Sequence, residues 1–303
     1  MKTIFLNAVA LCLVAQLATA QIRIAQPSPG ASVMQTVGVT DFTVKYSRPG
    51  VKGRNVWDTA SAVAPYGKLW RTGANGATSF MTSTDVMVEG QKLPAGTYSV
   101  FSMPMPGEWT LIFNKNVTAN TLQYKQEEDV LRVKIKAMAT TEPTENFTIG
   151  FTDMTDSTAK LNFMWASVKA SANLMVETTN NTAMIIDKAV ADKPEDPAVL
   201  QAAANYNLAK GRNLPQALAM ADKSIGMKET FRNVWLKSQI LAKMGNVAEA
   251  LPLAQKAMTL GEASNDAAFP AFKDAISKGI TSYSAMMPKT KAGDAIKGKK
   301  KKA

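Results

Sequence analysis

Four cations, Arg48, Lys52, Arg54 and Arg71, fall in two short runs rich in glycine, proline and aromatic residues, Tyr46 to Arg54 and Pro65 to Asn75. Trp70 and Asn75 stand beside them. A guanidinium fork reads carboxylate, sulfate or phosphate through paired hydrogen bonds, whereas lysine acts as a point charge. An aromatic ring next to such groups can stack on a sugar or a base. These residue types in this pattern suit an anionic or carbohydrate ligand. The same arginines could instead pair with buried carboxylates and pin irregular loops, the glycines serving only tight turns. Both readings remain open at this level.

Catalytic chemistry has less to work with. The 303 residues include one Cys and no His, which removes histidine-based triads, His acid/base pairs and Cys/His zinc sites. Asp41, Asp58, Asp85, Glu89 and Glu108 could supply an acid pair for glycoside hydrolysis, yet none stands in a recognisable motif. Ser47 and Ser99 have no evident base, with Lys52 or Lys68 the available partners for Ser-Lys chemistry. No glycine-rich phosphate cradle, EF-hand loop or metal-ligand spacing occurs. No catalytic residue, metal or cofactor is assigned, and the expected role is a non-catalytic binding protein. A hydrolase of envelope glycans or esters and a purely structural envelope protein stand as alternatives. The triplets beginning at Asn116, Asn146 and Asn180 match a glycosylation acceptor pattern, which is too common to assign a role.

Positioning the cationic runs falls to strands. From about residue 33 to 177 apolar residues alternate with polar ones, as in Phe42, Val44 and Tyr46, or Leu131, Val133, Ile135 and Ala137. Phe147, Ile149 and Phe151, then Leu161, Phe163 and Trp165, then Leu174 and Val176 continue the pattern, separated by turn chemistry. About eight short strands without helical spacing between them predict an antiparallel β-sandwich or jelly roll over residues 21–178. The Arg132, Lys134 and Lys136 stripe reads as its solvated face.

Beyond residue 180 the composition turns to Ala, Leu, Met and Lys at helical spacing. At a shift of 33, Leu208, Ala209, Lys210, Asn213, Ala217, Leu218, Ala221 and Lys223 recur as Leu241, Ala242, Lys243, Asn246, Ala250, Leu251, Ala254 and Lys256. Asn213 with Gln216 and Asn246 with Glu249 have capping-box spacing, and Asp196-Pro197 reads as an N-cap followed by a first-turn proline. The pattern resembles the tetratricopeptide repeat, with helix-turn-helix units and small residues at the packing positions. Two clear copies fall short of the three such stacks usually need, so either Ala183 to Ala191 and Ala267 to Met286 cap them or the array leans on the sandwich. The expected result is an α-helical repeat domain over 183–286 with a groove for a protein or peptide partner.

The ends carry signals of their own. Lys2, the apolar run Ile4 to Leu17 and the small-residue site Ala18-Thr19-Ala20 predict a secretory signal peptide over residues 1–20, cleaved after Ala20. The run is too short to span a bilayer. Cys12 leaves with it, so the exported chain folds without any thiol. Seven lysines against Asp294 in residues 288–303 hold +6 of the formal +11 charge, leaving residues 21–287 only mildly basic. Residues 287–303 are expected to form a solvated, disordered tail, with at most weak adhesion to anionic surfaces and no specific nucleic-acid site.

The sequence order YSRPGVKGR, PYGKLWRTGAN, KLPAGTYSVFSMP and EWTLIFNK, spread over about residues 27–170, resembles the domain-of-unknown-function 2911 family of exported bacterial proteins. That resemblance implies export to the periplasm or beyond in a Bacteroidetes-like Gram-negative cell. It also implies a β-sandwich that in some members precedes helical repeats. Arg48, Lys52, Arg54, Trp70, Arg71 and Asn75 coincide with its motif positions, and the family supplies no catalytic role for them.

Overall fold

The computed structural model describes residues 24–61, 63–118 and 121–287. The expected signal peptide and nearly all of the lysine-rich tail lie outside them. The chain divides between Thr178 and Thr179 into two compact units, one of strands and one of helices. Among the described residues no helix is long and apolar enough to cross a membrane.

The first unit is built from nine strands: β1 (Gly30–Val37), β2 (Thr40–Ser47), β3 (Thr78–Thr82), β4 (Val86–Val88), β5 (Gln91–Leu93), β6 (Gly96–Met103), β7 (Glu108–Asn114), β8 (Asp129–Thr152) and β9 (Thr158–Val176). All pairings are antiparallel, in the order β1-β2-β3-β6-β7-β8-β9-β4-β5. Alternation decides which faces are buried: Phe42, Val44 and Tyr46 on β2, and Leu131, Val133, Ile135 and Ala137 on β8, all point into the core.

One hydrogen-bonded sheet makes both layers of the sandwich, where separate short strands were expected. The leading part of β8 pairs with β7, while its trailing part lies across the core from β2. There the rings of Phe42 and Phe151 stand 5.8 Å apart and those of Tyr46 and Phe147 5.9 Å apart. The strand therefore turns a corner. Its β8–β9 register breaks between Ala139 and Thr144 and again between Thr144 and Thr148, around Pro143, which cannot donate a ladder hydrogen bond. Opposite it Ala166 on β9 takes φ 47°, a left-handed conformation typical of a bulge. Alternation alone hid this continuity, because a bulge resets the period exactly as a loop would.

The stripe expected to be solvated is so only in part. Lys134 and Lys136 are exposed, whereas Arg132 donates to Asp129 at 2.6 Å and to the Tyr124 hydroxyl at 2.7 Å. Tyr124 in turn donates to Asp129 at 2.7 Å. Burial, then the neighbouring Asp129, pushes the Tyr124 phenol up to about 12.

The second unit holds α1 (Thr178–Asp192), α2 (Pro197–Lys210), α3 (Leu214–Met227), α4 (Phe231–Lys243), α5 (Val247–Ala263) and α6 (Phe269–Met286). Asp196 caps α2 by accepting from the Ala198 and Val199 amides, with Pro197 in the first turn, as its sequence predicts. The two asparagine boxes turn out differently. Asn213 accepts from the Gln216 amide at 3.4 Å, but Asn246 makes no side-chain cap bond. The reciprocal box belongs instead to Thr230 and Asn233 at the start of α4.

Spacings within the helical unit follow two periods. Ala217, Ala221, Ala250 and Ala254, 33 apart on α3 and α5, are all fully buried, which lets helices approach closely. Gly211 and Gly245, the left-handed glycines that end α2 and close the turn after α4, lie 34 apart. The buried pairs Leu200 with Val234 and Ala204 with Ser238 have the same spacing. Two residues follow Gly211 before α3 but only one follows Gly245 before α5, and Asn213 takes up the difference at φ 37°. The Leu208 to Lys210 identities at a shift of 33 therefore do not mark equivalent positions in the first helix of each pair.

Candidate functional site

The six candidate residues of the cationic runs share one long connection, residues 48–77, between β2 and β3. It is stitched to the sheet at both ends. Phe147 donates its amide to Pro49 at 2.9 Å and Val51 to Glu145 at 2.8 Å, while Trp70 and Ser102 exchange both backbone hydrogen bonds at 2.8 and 2.9 Å. A non-regular segment held this way can present side chains in fixed positions.

Arg48 is a pin. Its Nε donates to the Phe147 carbonyl at 3.1 Å and its Nη2 to the Thr148 hydroxyl at 2.6 Å. Lys52 is exposed, at φ 49°, and its backbone amide rather than its ammonium bonds Glu145. Trp70 is 4% exposed and belongs to the core. Its ring stacks on Trp165 at 5.7 Å and meets Trp57 and Trp109 edge-on, and its indole N–H donates to Gly73 at 3.1 Å. Arg54, Arg71 and Asn75 converge on one concavity of about 300 Å³, which Trp70 also borders. Ser28, Thr121, Val63 and Leu69 complete much of its wall. Leu69 belongs to the Pro65 to Asn75 run, while Ser28, Val63 and Thr121 were not singled out in sequence, since they stand outside the two runs.

Two positions explain how Arg71 and Asn75 are presented. Thr72 is fully buried at φ 55°, rare for a β-branched residue, and is held by bonds from its hydroxyl to Ser102 at 3.0 Å and from Thr78 to its carbonyl at 2.5 Å. Gly73 follows at φ 154°, where a Cβ would meet the Ser47 carbonyl at 3.1 Å and the Thr78 hydroxyl at 3.2 Å.

The acids considered for catalysis each have partners. Asp85 pairs with Lys92 at 2.7 Å, Glu108 with Lys134 at 3.0 Å, Asp41 accepts from Thr36, Asp58 from Asn55 and Ala60, and Glu89 from Asn173. Ser47 accepts from Asn75 at 3.2 Å and Ser99 is buried. Among the described residues no group of three or more acidic side chains could hold a metal ion. A separate apolar concavity of about 200 Å³ is lined by Trp57, Tyr66, Met105, Trp109 and Met138.

In the helical unit, α2, α4 and α6 line a groove of about 720 Å³. Ala198, Gln201, Ala202 and Asn205 of α2 stand 34 residues before Arg232, Trp235, Leu236 and Gln239 of α4, and Ala271, Phe272 and Ala275 of α6 form its third side. Arg232, its one cation, is paired with Asp266 at 2.7 Å. Sequence reasoning placed a groove in this unit but not its residues, because none of the repeat identities lines it.

Comparison with known proteins bears on the first unit. Residues 28–174 match the model of a family described as Protein of unknown function (DUF2911), nearly the stretch over which the sequence motifs were read. No curated protein matches the chain.

Proposed function

We propose that this is an exported, non-catalytic binding protein whose helices form a tetratricopeptide-like array that grips a protein or peptide segment. One observation carries the reading: the groove-facing residues of α2 and α4 recur at 34-residue spacing, in register with the glycines at Gly211 and Gly245. Repeat arrays of this kind offer a continuous concave surface made from equivalent positions.

The groove's chemistry suggests what it holds. Gln201, Asn205 and Gln239 place carboxamides along it, each able both to donate to and accept from peptide amides. Ala198, Ala202, Ala271 and Ala275 leave room for bulky apolar side chains, with Trp235 and Phe272 as contact surface. With its only cation compensated, the groove favours an uncharged peptide segment carrying Leu or Phe. Export rests on the signal-peptide pattern of residues 1–20.

The test uses the full chain and displayed peptides. Selected binders should be apolar and uncharged, and Ala202→Trp, which fills the groove, should weaken them at least tenfold. Lys256→Ala, on α5, should leave them unchanged. Peptides that bind equally well to the filled variant would sink the proposal.

A further inference from the structure

The concavity of the first unit narrows the choice between an anionic and a carbohydrate ligand. A sugar site needs an exposed ring face, and Trp70 has none to give: Trp165 covers one face, Trp57 and Trp109 abut it, and its N–H is satisfied by Gly73. What remains is cationic. Arg54 spends two of its five N–H donors on the Gly50 and Val51 carbonyls, at 2.5 and 3.1 Å. Arg71 spends two on the Asn75 carbonyl, at 2.5 Å, and the Thr121 hydroxyl, at 3.4 Å. Each fork keeps three. Among the described residues neither arginine has a carboxylate within ion-pairing distance, and no acidic side chain lines the concavity.

Two guanidiniums held in place by neutral oxygens on one acid-free wall leave their charge for something from outside. Presenting Arg71 costs backbone strain, since Thr72 beside it is a buried β-branched residue at φ 55°. That strain fixes the turn between Arg71 and Asn75. Thr121, while accepting from Arg71, can still donate its own hydroxyl proton, and Ser28 adds a second hydroxyl. Val63, Leu69 and Pro49 make the rest of the wall apolar. At about 300 Å³ the space stands at the lower end of small-molecule sites and exceeds what a bare inorganic anion fills.

We infer that this concavity binds a small organic anion, its carboxylate, sulfate or phosphate group held between Arg54 and Arg71 and its apolar body against Val63 and Leu69. The site lies within the β unit and stands or falls separately from the helical groove.

Titration calorimetry on the full chain tests it with benzoate, phenyl sulfate and phenyl phosphate, each against neutral benzamide and methyl glucoside. At least one anion should bind saturably, more weakly as salt rises, and the tightest of the three identifies the head group. Arg54→Gln and Arg71→Gln should each weaken it at least tenfold, and Arg71→Lys should recover only part, because charge returns without the fork. Lys68→Gln, on the same connection but off the wall, should leave affinity unchanged. Arg54 lies in an exposed turn, so its variant remains informative even if Arg71→Gln loosens the turn at Thr72. Absence of saturable binding by all three anions would overturn the inference, as would equal binding of methyl glucoside or affinity untouched in the Arg54 variant.

Discussion

Arg48 and Arg71 differ by what their guanidiniums touch, and that difference sets what each substitution should do. Arg48 ties the connection after β2 to β8 through two charge-assisted bonds to neutral oxygens, the Phe147 carbonyl and the Thr148 hydroxyl. Bonds of this kind are worth about 1.5–3 kcal/mol when buried, and partial exposure reduces them. Arg48→Met should therefore lower the stability of the β unit by about 2 kcal/mol, read as a fall of roughly 4–8 °C in its melting temperature. A fall below 1 °C would show the pin to be idle. The sequence displayed the arginines but not this division of labour, because the partners of Arg48 lie about a hundred residues downstream in β8. Among the described residues no carboxylate pins Arg48, Arg54 or Arg71; carbonyl and hydroxyl oxygens hold them. Tyr124 yields a second prediction at this scale. Its phenol is raised to about 12 in the folded protein, above the ordinary value near 10. The stabilisation is thus fully present below pH 10 and is lost as pH rises toward 12. Tyrosinate absorbance followed on titration should show a last phase near pH 12 that disappears in Tyr124→Phe, and the variant's melting temperature should fall less steeply over that range than the parent's. A last phase that persists in Tyr124→Phe would assign it to another tyrosine.

Among elements, the most exacting fit is between α5 and α6. A Cβ on Gly261 would stand 1.9 Å from a ring carbon of Phe269. That ring is buried and meets Phe231 edge-on at 5.2 Å, so it has nowhere to swing. Gly261→Ala gains about 1 kcal/mol in helix propensity, but overpacking costs about 1–3 kcal/mol and more where backbone must separate. The clash should win, lowering helical stability by about 1–2 kcal/mol in thermal melts followed at 222 nm; a stabilised variant would mean the helices can slide apart cheaply. The spacing of Ala217, Ala221, Ala250 and Ala254 made this helical pairing legible in sequence, since small residues at regular positions have few other uses. The groove register was not legible, because two residues follow Gly211 before α3 and one follows Gly245 before α5, which changes 34 to 33. The strands show a parallel case. Alternation revealed their inward residues correctly, yet Pro143 and Ala166 interrupt the period without ending β8 or β9. The wall of the 300 Å³ concavity was legible only as composition, since Ser28 and Thr121 reach it from other parts of the chain.

At the scale of the whole molecule, each unit carries its own interior. The β unit has one large core running from Val37 to Val176, with a small satellite around Phe101 and Ile112. The helical unit has two cores: one joins Leu200, Ala204, Ala221, Leu236 and Ile240, and the other joins Phe231, Trp235, Ala257, Phe269 and Ile276. Helix α4 supplies both, with Leu236 and Ile240 turned to the first and Phe231, Val234 and Trp235 to the second. In an array where stability is passed between neighbours, the shared helix couples the ends. Residues 179–287 alone should then fold and melt cooperatively, and Leu236→Ala should cost about 2–5 kcal/mol and destabilise the fragment throughout. Ile276→Ala, which touches the second core only, should loosen α6 while amides of α2 and α3 keep their protection in hydrogen exchange. Uniform loss of protection in the Ile276 variant would make the helices a single cooperative block. A fragment that stays unfolded by itself would show that the helical cores cannot sustain the groove without the strands.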